Sequence, residues 1–229
     1  MPRPTDRGDR ILDAAGALML RHGYRKVTVE DVAKQAGVGK GTVYLHWRTK
    51  EALFEALILR ESVDLIDELV AALRRAPEEV LPHRFLRRSF LAAIRRPLMH
   101  ALITGDTELL GNLKRGSLRG QELLAGDQYF ALLDQYGLLR TDVPDLRYAL
   151  GAVVTGFYLV DNLNPESADL DEEAKANALE HAVRTSFEPE SRPDRAALAT
   201  AAAEVAALLE GLTDSYRKWI YEHDPSEPG

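Results

Sequence analysis

The sequence predicts an all-α protein of 229 residues. An N-terminal three-helix domain with a helix-turn-helix, residues 1–49, precedes a larger helical domain, residues 50–229. Three observations lead there. Apolar residues recur at three- and four-residue steps along most of the chain, and neither strand-like alternation nor an internal repeat is evident. The segment VTVEDVAKQAGVGKGTVYLHWRTK, residues 27–50, reads as two short helices joined by a tight turn. Charge is uneven: residues 1–50 hold ten Lys/Arg against five Asp/Glu, the remainder 19 against 31, for a net charge of −7. A basic end on an acidic body turns one surface towards a polyanion.

The first helix is expected from about Arg7 to Arg21, with Ile11, Ala15, Leu18 and His22 along its inward face and His22-Gly23-Tyr24 ending it. Thr28, followed three residues later by Asp31, reads as a capping-box variant opening a second helix whose inward positions are Val29, Val32 and Ala33. Gly37 suits the left-handed backbone just past a helix end. The third helix then turns Val38 and Val43 inward, while Lys40, Thr42, Tyr44 and His46 project outward. Long cations and hydroxyls meet phosphate oxygens and base edges, so this helix is the expected occupant of a DNA major groove. Lys40 is the expected reader of a guanine edge. Thr42, Tyr44 and Lys50 are the expected phosphate contacts, and Thr28, Gly41 and His46 complete the candidate DNA-binding set. Gly37, Gly39 and Gly41 beside Lys40 fit neither phosphate-loop spacing, and no strand-like run precedes them.

The run TVEDVAKQAGVGKGTVYLHWRTKEALFEAL resembles the DNA-binding domain of the tetracycline-repressor (TetR) family of bacterial regulators. The resemblance rests on Thr28, Asp31-Val32-Ala33, Ala36-Gly37-Val38, Thr42-Val43-Tyr44, His46-Trp47, Lys50 and Leu53, and covers about residues 9 to 60. Two departures stand out. Gly39 replaces the commoner Ser, so the first turn of the reading helix is expected to order on DNA. Trp47 replaces the usual Phe, as a larger core anchor. The resemblance implies a homodimer on near-palindromic, double-stranded operator DNA, a small-molecule effector in the helical body, repression as the usual outcome, and no catalysis. It also implies a four-helix dimer interface, mapped here to about 144–163 and 170–187 through Ala152, Thr155, Gly156, Ala178 and His181. Two other readings remain open: a DNA-binding regulator without ligand control, and a helical enzyme with an autoregulatory DNA-binding domain.

The rest of the chain continues in helices. Lys50 opens one reaching about Leu73, with Leu53, Leu57, Val63, Ile66 and Val70 inward. Pro77 suits the start of the next, and Pro97 its end. Leu98 to Thr104 forms another, before a stretch broken by Gly105, Gly111, Gly116 and Gly120. Helicity resumes from Leu123 to Gln135 and stops at Gly137. Asp142-Val143-Pro144 reads as a capped helix start, with the helix running to about Leu163. Residues 164–169 form a polar turn, Leu170 to Phe187 a further helix, and 188–193 a linker. The last helix, about Asp194 to His223, carries Leu198, Ala201, Val205, Leu208, Leu212, Tyr216 and Trp219 at near-heptad spacing. That stripe needs cover from a partner subunit or from its own body. The tail after it is expected to fray.

Cysteine is absent, which excludes disulfides and thiolate metal sites. The histidines at 22, 46, 83, 100, 181 and 223 form no metal-binding spacing, so neither metal nor cofactor is expected. No nucleophile elbow occurs. The start MPRPTDRGDR lacks the apolar run of a signal peptide, and no stretch approaches a membrane span; a soluble, cytoplasmic protein without a membrane partner is expected. Phe85, Phe90, His100, Tyr129, Phe130, Phe157 and Tyr158 are the candidate lining of an effector pocket, since such pockets are largely apolar and aromatic. Arg3, Arg7 and Arg10 have two readings, an arm reaching DNA or a solvated tail.

Overall fold

The computed structural model describes residues 4–111, 113, 119–164, 169–191 and 193–222. Every regular element among them is helical. The helices are α1 (Pro4–His22), α2 (Val29–Ala36), α3 (Lys40–His46), α4 (Lys50–Arg75), α5 (Pro82–Ile94), α6 (Pro97–Thr104), α7 (Thr107–Leu110), α8 (Arg119–Gln135), α9 (Leu146–Leu163), α10 (Glu172–Phe187) and α11 (Arg195–Glu222). They fall into two compact units. The first comprises Met1–Asp64, Pro97–Gly120 and Thr213–Gly229, the second Leu65–Arg96 and Gln121–Leu212, so α4, α8 and α11 each give residues to both. A sequence boundary at 49/50 separates the three-helix reader alone. The packed unit around it also takes in the first part of α4, α6, α7 and the end of α11.

In the first unit, α1 packs on α2 and α2 on α3. The buried face of α1 is Ile11, Leu12, Ala14, Ala15 and Met19. His22, expected on that face, is exposed: it is the last residue of α1, where the chain leaves the helix for the Gly23 turn. On α4 the stripe Leu53, Leu57, Val63, Ile66 and Val70 is buried as its spacing requires. The turn after α1 is locked to α7: the Tyr24 amide donates to the Leu109 carbonyl at 2.9 Å. At Gly23, φ is +74°, and a Cβ there would lie 2.8 Å from the Glu108 carbonyl oxygen. Near the C-terminal end of α11, Tyr216 and Ile220 are buried, and the Tyr221 hydroxyl donates to Asp9 of α1 at 2.5 Å. Arg60 of α4 joins the same corner, pairing with Asp13 at 2.8 Å.

In the second unit α5 lies along α10, and α9 also packs on α10. Arg87 of α5 pairs with Glu173 and Glu180 of α10, and Arg95 with Glu172 and Glu173. Lys175 ties α10 to Asp161 of α9 at 2.6 Å. On α11, Leu198, Ala201, Val205 and Tyr216 of the apolar stripe are buried, while Leu208, Leu212 and Trp219 are half-buried, so the chain's own body covers the stripe in part. Glu210 pairs with Arg74, and Glu204 accepts the Tyr136 hydroxyl at 2.9 Å. By length and apolar composition α11 is nevertheless sufficient to cross a membrane, which corrects the expectation that no stretch approaches that length; its many alanines raise the hydropathy.

Several helix ends differ from expectation. Pro77 opens a 3₁₀ turn, Pro77–Val80, and the α-helix begins five residues later at Pro82. Pro97 stands in the first turn of α6. Asp142 does not cap α9: Arg140 holds its carboxylate through two hydrogen bonds, at 2.9 and 2.7 Å. The helix starts at Leu146 behind Asp145, whose φ is +47°. Asp171 caps α10 instead, accepting from the Ala174 amide at 2.7 Å. Gly105, Gly111 and Gly137 all have positive φ. Gly116, Arg3, His223 and the tail lie outside the described residues.

Gly23 and Gly37 separate two costs. A Cβ on Gly37, φ +67°, meets nothing within 4 Å. Gly37→Ala should therefore cost only the left-handed backbone, about 1–2 kcal/mol. Gly23→Ala adds the collision with Glu108 and should cost on the order of 1 kcal/mol more. Denaturant unfolding of both variants checks this; equal losses would remove the turn–α7 lock.

Candidate nucleic-acid interface

Helix α2 begins where the chemistry requires. The Asp31 amide donates to the Thr28 hydroxyl oxygen at 3.2 Å, and the Thr28 amide donates to the Asp31 carboxylate at 3.0 Å, completing a capping box. The Thr28 hydroxyl also donates to Asp31 at 2.6 Å, and these bonds hold the Asp31 carboxyl below its usual range. At the other end, Gly37 takes the left-handed conformation, and the Val38 amide returns to the Ala33 carbonyl at 2.9 Å. The chain is thereby turned into α3.

Gly39 is the N-cap of α3, in extended conformation, and the Thr42 amide donates to its carbonyl at 2.9 Å. Gly39 lies outside the helix as its N-cap, so its low propensity is not charged to the helix interior. Val43 is completely buried, and Trp47, just past the last turn, is 3% exposed. Trp47 is the core anchor its size suggested. Its indole N–H has no hydrogen-bond partner among the described residues.

The opposite side of α3 is open. Lys40, Gly41 and Tyr44 are exposed, and Thr42 and His46 half-buried. Lys40 stands 3.6 Å from Glu30; so exposed a pair contributes little and leaves the ammonium available. Lys50 is placed differently. Its ammonium donates to the Tyr24 carbonyl at 2.6 Å and lies 4.2 Å from the centre of the Tyr24 ring. Burial holds its pKa below the usual lysine value. One of its three protons is thus spent inside the domain, positioning α4 against the turn after α1. Burial, with Glu51 beside it, pushes the Tyr24 phenol up to about 12. His46 is held below the usual imidazole pKa by burial and then by the Arg7 charge. Arg7 and Arg10 are exposed on helical backbone of α1, not on an extended arm. One outward residue escaped the sequence reading: Leu45, 80% exposed at the middle of the outer face. A helical wheel through Val43 and Trp47 would have placed it there.

In the second unit the candidate pocket aromatics form two groups. Phe85, Tyr129 and Phe130 are joined at centroid distances of 5.1 and 5.8 Å. Phe90 meets Phe157 at 6.4 Å and Tyr158 at 5.1 Å. His100 belongs to the first unit. The Tyr129 hydroxyl is buried with no hydrogen-bond partner among the described residues, and burial raises its pKa. Ala152, Thr155 and Gly156 line an open groove of about 670 Å³ along α9, with Tyr148 and Leu163 81% and 82% exposed beside it. Ala178 and His181 are exposed on α10. A polar pair was also missed. His83, 3% exposed, has Nδ1 2.8 Å from both carboxylate oxygens of Glu188, and its amide donates to Glu188 at 2.6 Å. Glu188 sat in a stretch read as linker; the contact spans 105 residues, and no local signal announces it.

Residues 11–57 match the family described as bacterial regulatory proteins, tetR family. The N-terminal domain is a tetR-family domain. Its HTH-type relatives in Bacillus subtilis include the regulator YvkB, 40% identical over 60 residues, and the regulator YhgD, 35% identical over 98. These matches cover 26% and 42% of this chain, which spans 31% and 49% of the two relatives' lengths. Solved structures share the fold over more of the chain. The transcriptional regulator FadR from Bacillus subtilis, solved in complex with stearoyl-CoA, is 21% identical, with a TM-score of 0.56 over 76% of this chain and 96% of that one.

Two outcomes test this geometry. Thr28→Ala removes an acceptor for the Asp31 amide and should cost about 0.5–2 kcal/mol in urea unfolding, with Thr28→Asp largely restoring it; an unchanged midpoint in Thr28→Ala would contradict the capping role. The lowered pKa of His46 favours the neutral ring in the folded state. Its contribution to stability is therefore complete above the unfolded value near 6.5 and is lost as pH falls through the lower folded value. His46→Gln should flatten the stability profile just below pH 6.5, and an NMR titration of His46 above 6.5 in the free protein would contradict this.

Proposed function

We propose that this chain is a DNA-binding transcriptional regulator, acting in the cytoplasm as a homodimer and released from its operator by a small molecule. The observation that carries the reading is the placement of α3: Val43 and Trp47 anchor one side while Lys40, Gly41, Tyr44 and the partly covered Thr42 and His46 face outward. The tetR-family match over 11–57 supports it. In this reading Lys40 donates to a guanine edge, Thr42 and Tyr44 bind phosphates, and Lys50 uses its two remaining protons on a phosphate while holding Tyr24. Two such helices, one per subunit, enter successive major grooves about 34 Å apart. When the operator overlaps a promoter, binding represses.

The dimer partner would sit on the uncovered faces of α9 and α10. Gly151 and Gly156 have nothing within 4 Å of a built Cβ, so a second helix can approach closely there. An effector would enter the aromatic cluster of the second unit, where the Tyr129 hydroxyl is an unused donor. The stearoyl-CoA held by the Bacillus subtilis FadR supports an acyl chain as the first probe. Effector and operator then weaken each other reciprocally, typically by about 1–3 kcal/mol. The relatives carry regulator names.

The test starts with duplexes retained from random DNA by the full-length protein. A near-palindrome is expected, bound by a dimer. Gly156→Glu should abolish both the dimer in sedimentation and operator binding, while helical circular dichroism persists. A dimeric Gly156→Glu moves the interface elsewhere, and a monomer with full operator affinity overturns the dimeric mechanism. Release of the duplex by stearoyl-CoA would identify ligand control. No release, with no thermal shift either, would exclude stearoyl-CoA as the effector.

A further inference from the structure

A single exposed leucine on a protein surface is ordinary. Leu45 is not placed ordinarily. Helical geometry of about 100° per residue sets it roughly 160° from the fully buried Val43. It therefore forms the crest of α3's outer face. Gly41, one turn earlier on the same crest, has no side chain, and a Cβ built there meets nothing within 4 Å. Tyr44 and His46 lie to either side of Leu45, and Lys40 further round. The crest is open: Leu45 is 80% exposed. The crest is apolar, with hydroxyl and cationic groups around it.

That arrangement selects among the features of a DNA groove. Every base pair offers donors and acceptors in the major groove, but the thymine C5-methyl is the apolar group displayed there. An isobutyl side chain makes no hydrogen bond, and its burial against a polar edge would strip that edge of water without replacing it. Against a methyl group both surfaces gain. The bare backbone at Gly41 allows the helix to come close enough for Leu45 to touch. We propose that Leu45 is a specificity-determining residue that reads the methyl group of one thymine in each operator half-site, beside the base recognised by Lys40. The inference rests on the regulator reading above and names a determinant within it.

The experiment uses the full-length protein and the duplex it retains from random DNA. Each thymine is replaced in turn by deoxyuridine, which keeps the base-pairing edge and removes only the methyl. Wild-type binding should weaken about four-fold per half-site at one thymine position, the contribution of one buried methyl. Leu45→Ala, a change at an exposed site with folding verified by circular dichroism, should weaken binding to the thymine duplex and respond no further to uracil at that position. Restoring a methyl there as 5-methylcytosine paired with guanine should recover part of the wild-type preference over cytosine, but none in Leu45→Ala. A specific duplex in which no uracil position loses its effect in Leu45→Ala overturns this inference alone. A wild-type protein that retains no specific duplex overturns the regulator reading and this inference together.

Discussion

A helix of seven residues does not hold itself together in water, because nucleation is costly and too few hydrogen bonds repay it. Helix α3 exists in place because Val43 and Trp47 are buried beneath it. Everything proposed about reading DNA depends on that burial. It sets which residues face outward, and through the Gly37 turn and the Thr28–Asp31 capping box it fixes how α3 follows α2. Lys50 extends the constraint into α4. Its bond to the Tyr24 carbonyl and its place over the Tyr24 ring join the start of α4 to the turn after α1, which the Leu109 carbonyl also holds.

The parts of this architecture legible in the sequence are those with local causes. Thr28 and Asp31 are three residues apart, Gly37 needs only its own backbone, and the stripes on α4 and α11 follow helical periodicity. The helix-turn-helix, the all-α class and most of the outward residues were therefore readable. What was not readable depends on distant partners. Lys50 looked like a free phosphate donor, and its tie to Tyr24 crosses 26 residues. Glu188 looked like linker because His83 lies far away in the chain. Asp142 looked like a helix cap, but Arg140 competes for the same carboxylate and wins with two charge-assisted hydrogen bonds. Leu45 differs: its position follows from local helical periodicity alone, yet an apolar side chain carries no polar signature of a DNA contact.

The C-terminal helix adds something the N-terminal motif does not announce. Its apolar stripe is partly buried in the chain's own body, and its final turns belong to the same compact unit as α1. Tyr221 and Asp9, 212 residues apart, close that corner, where Arg60 also reaches the Asp9 carbonyl. The first unit is thus built from three separate stretches of sequence, and the placement of α1, on which α2 packs, depends on all of them.

The central claim is that the outer face of α3 is the surface that meets DNA. Amide hydrogen exchange of the full-length protein, with and without the duplex it retains from random DNA, tests this most directly. The account predicts that DNA slows exchange over residues 39–47 and at the first turn of α4, with the α5–α10 layer of the second unit changing far less. Slowing confined to other segments, with residues 39–47 unchanged in the presence of saturating duplex, would contradict it.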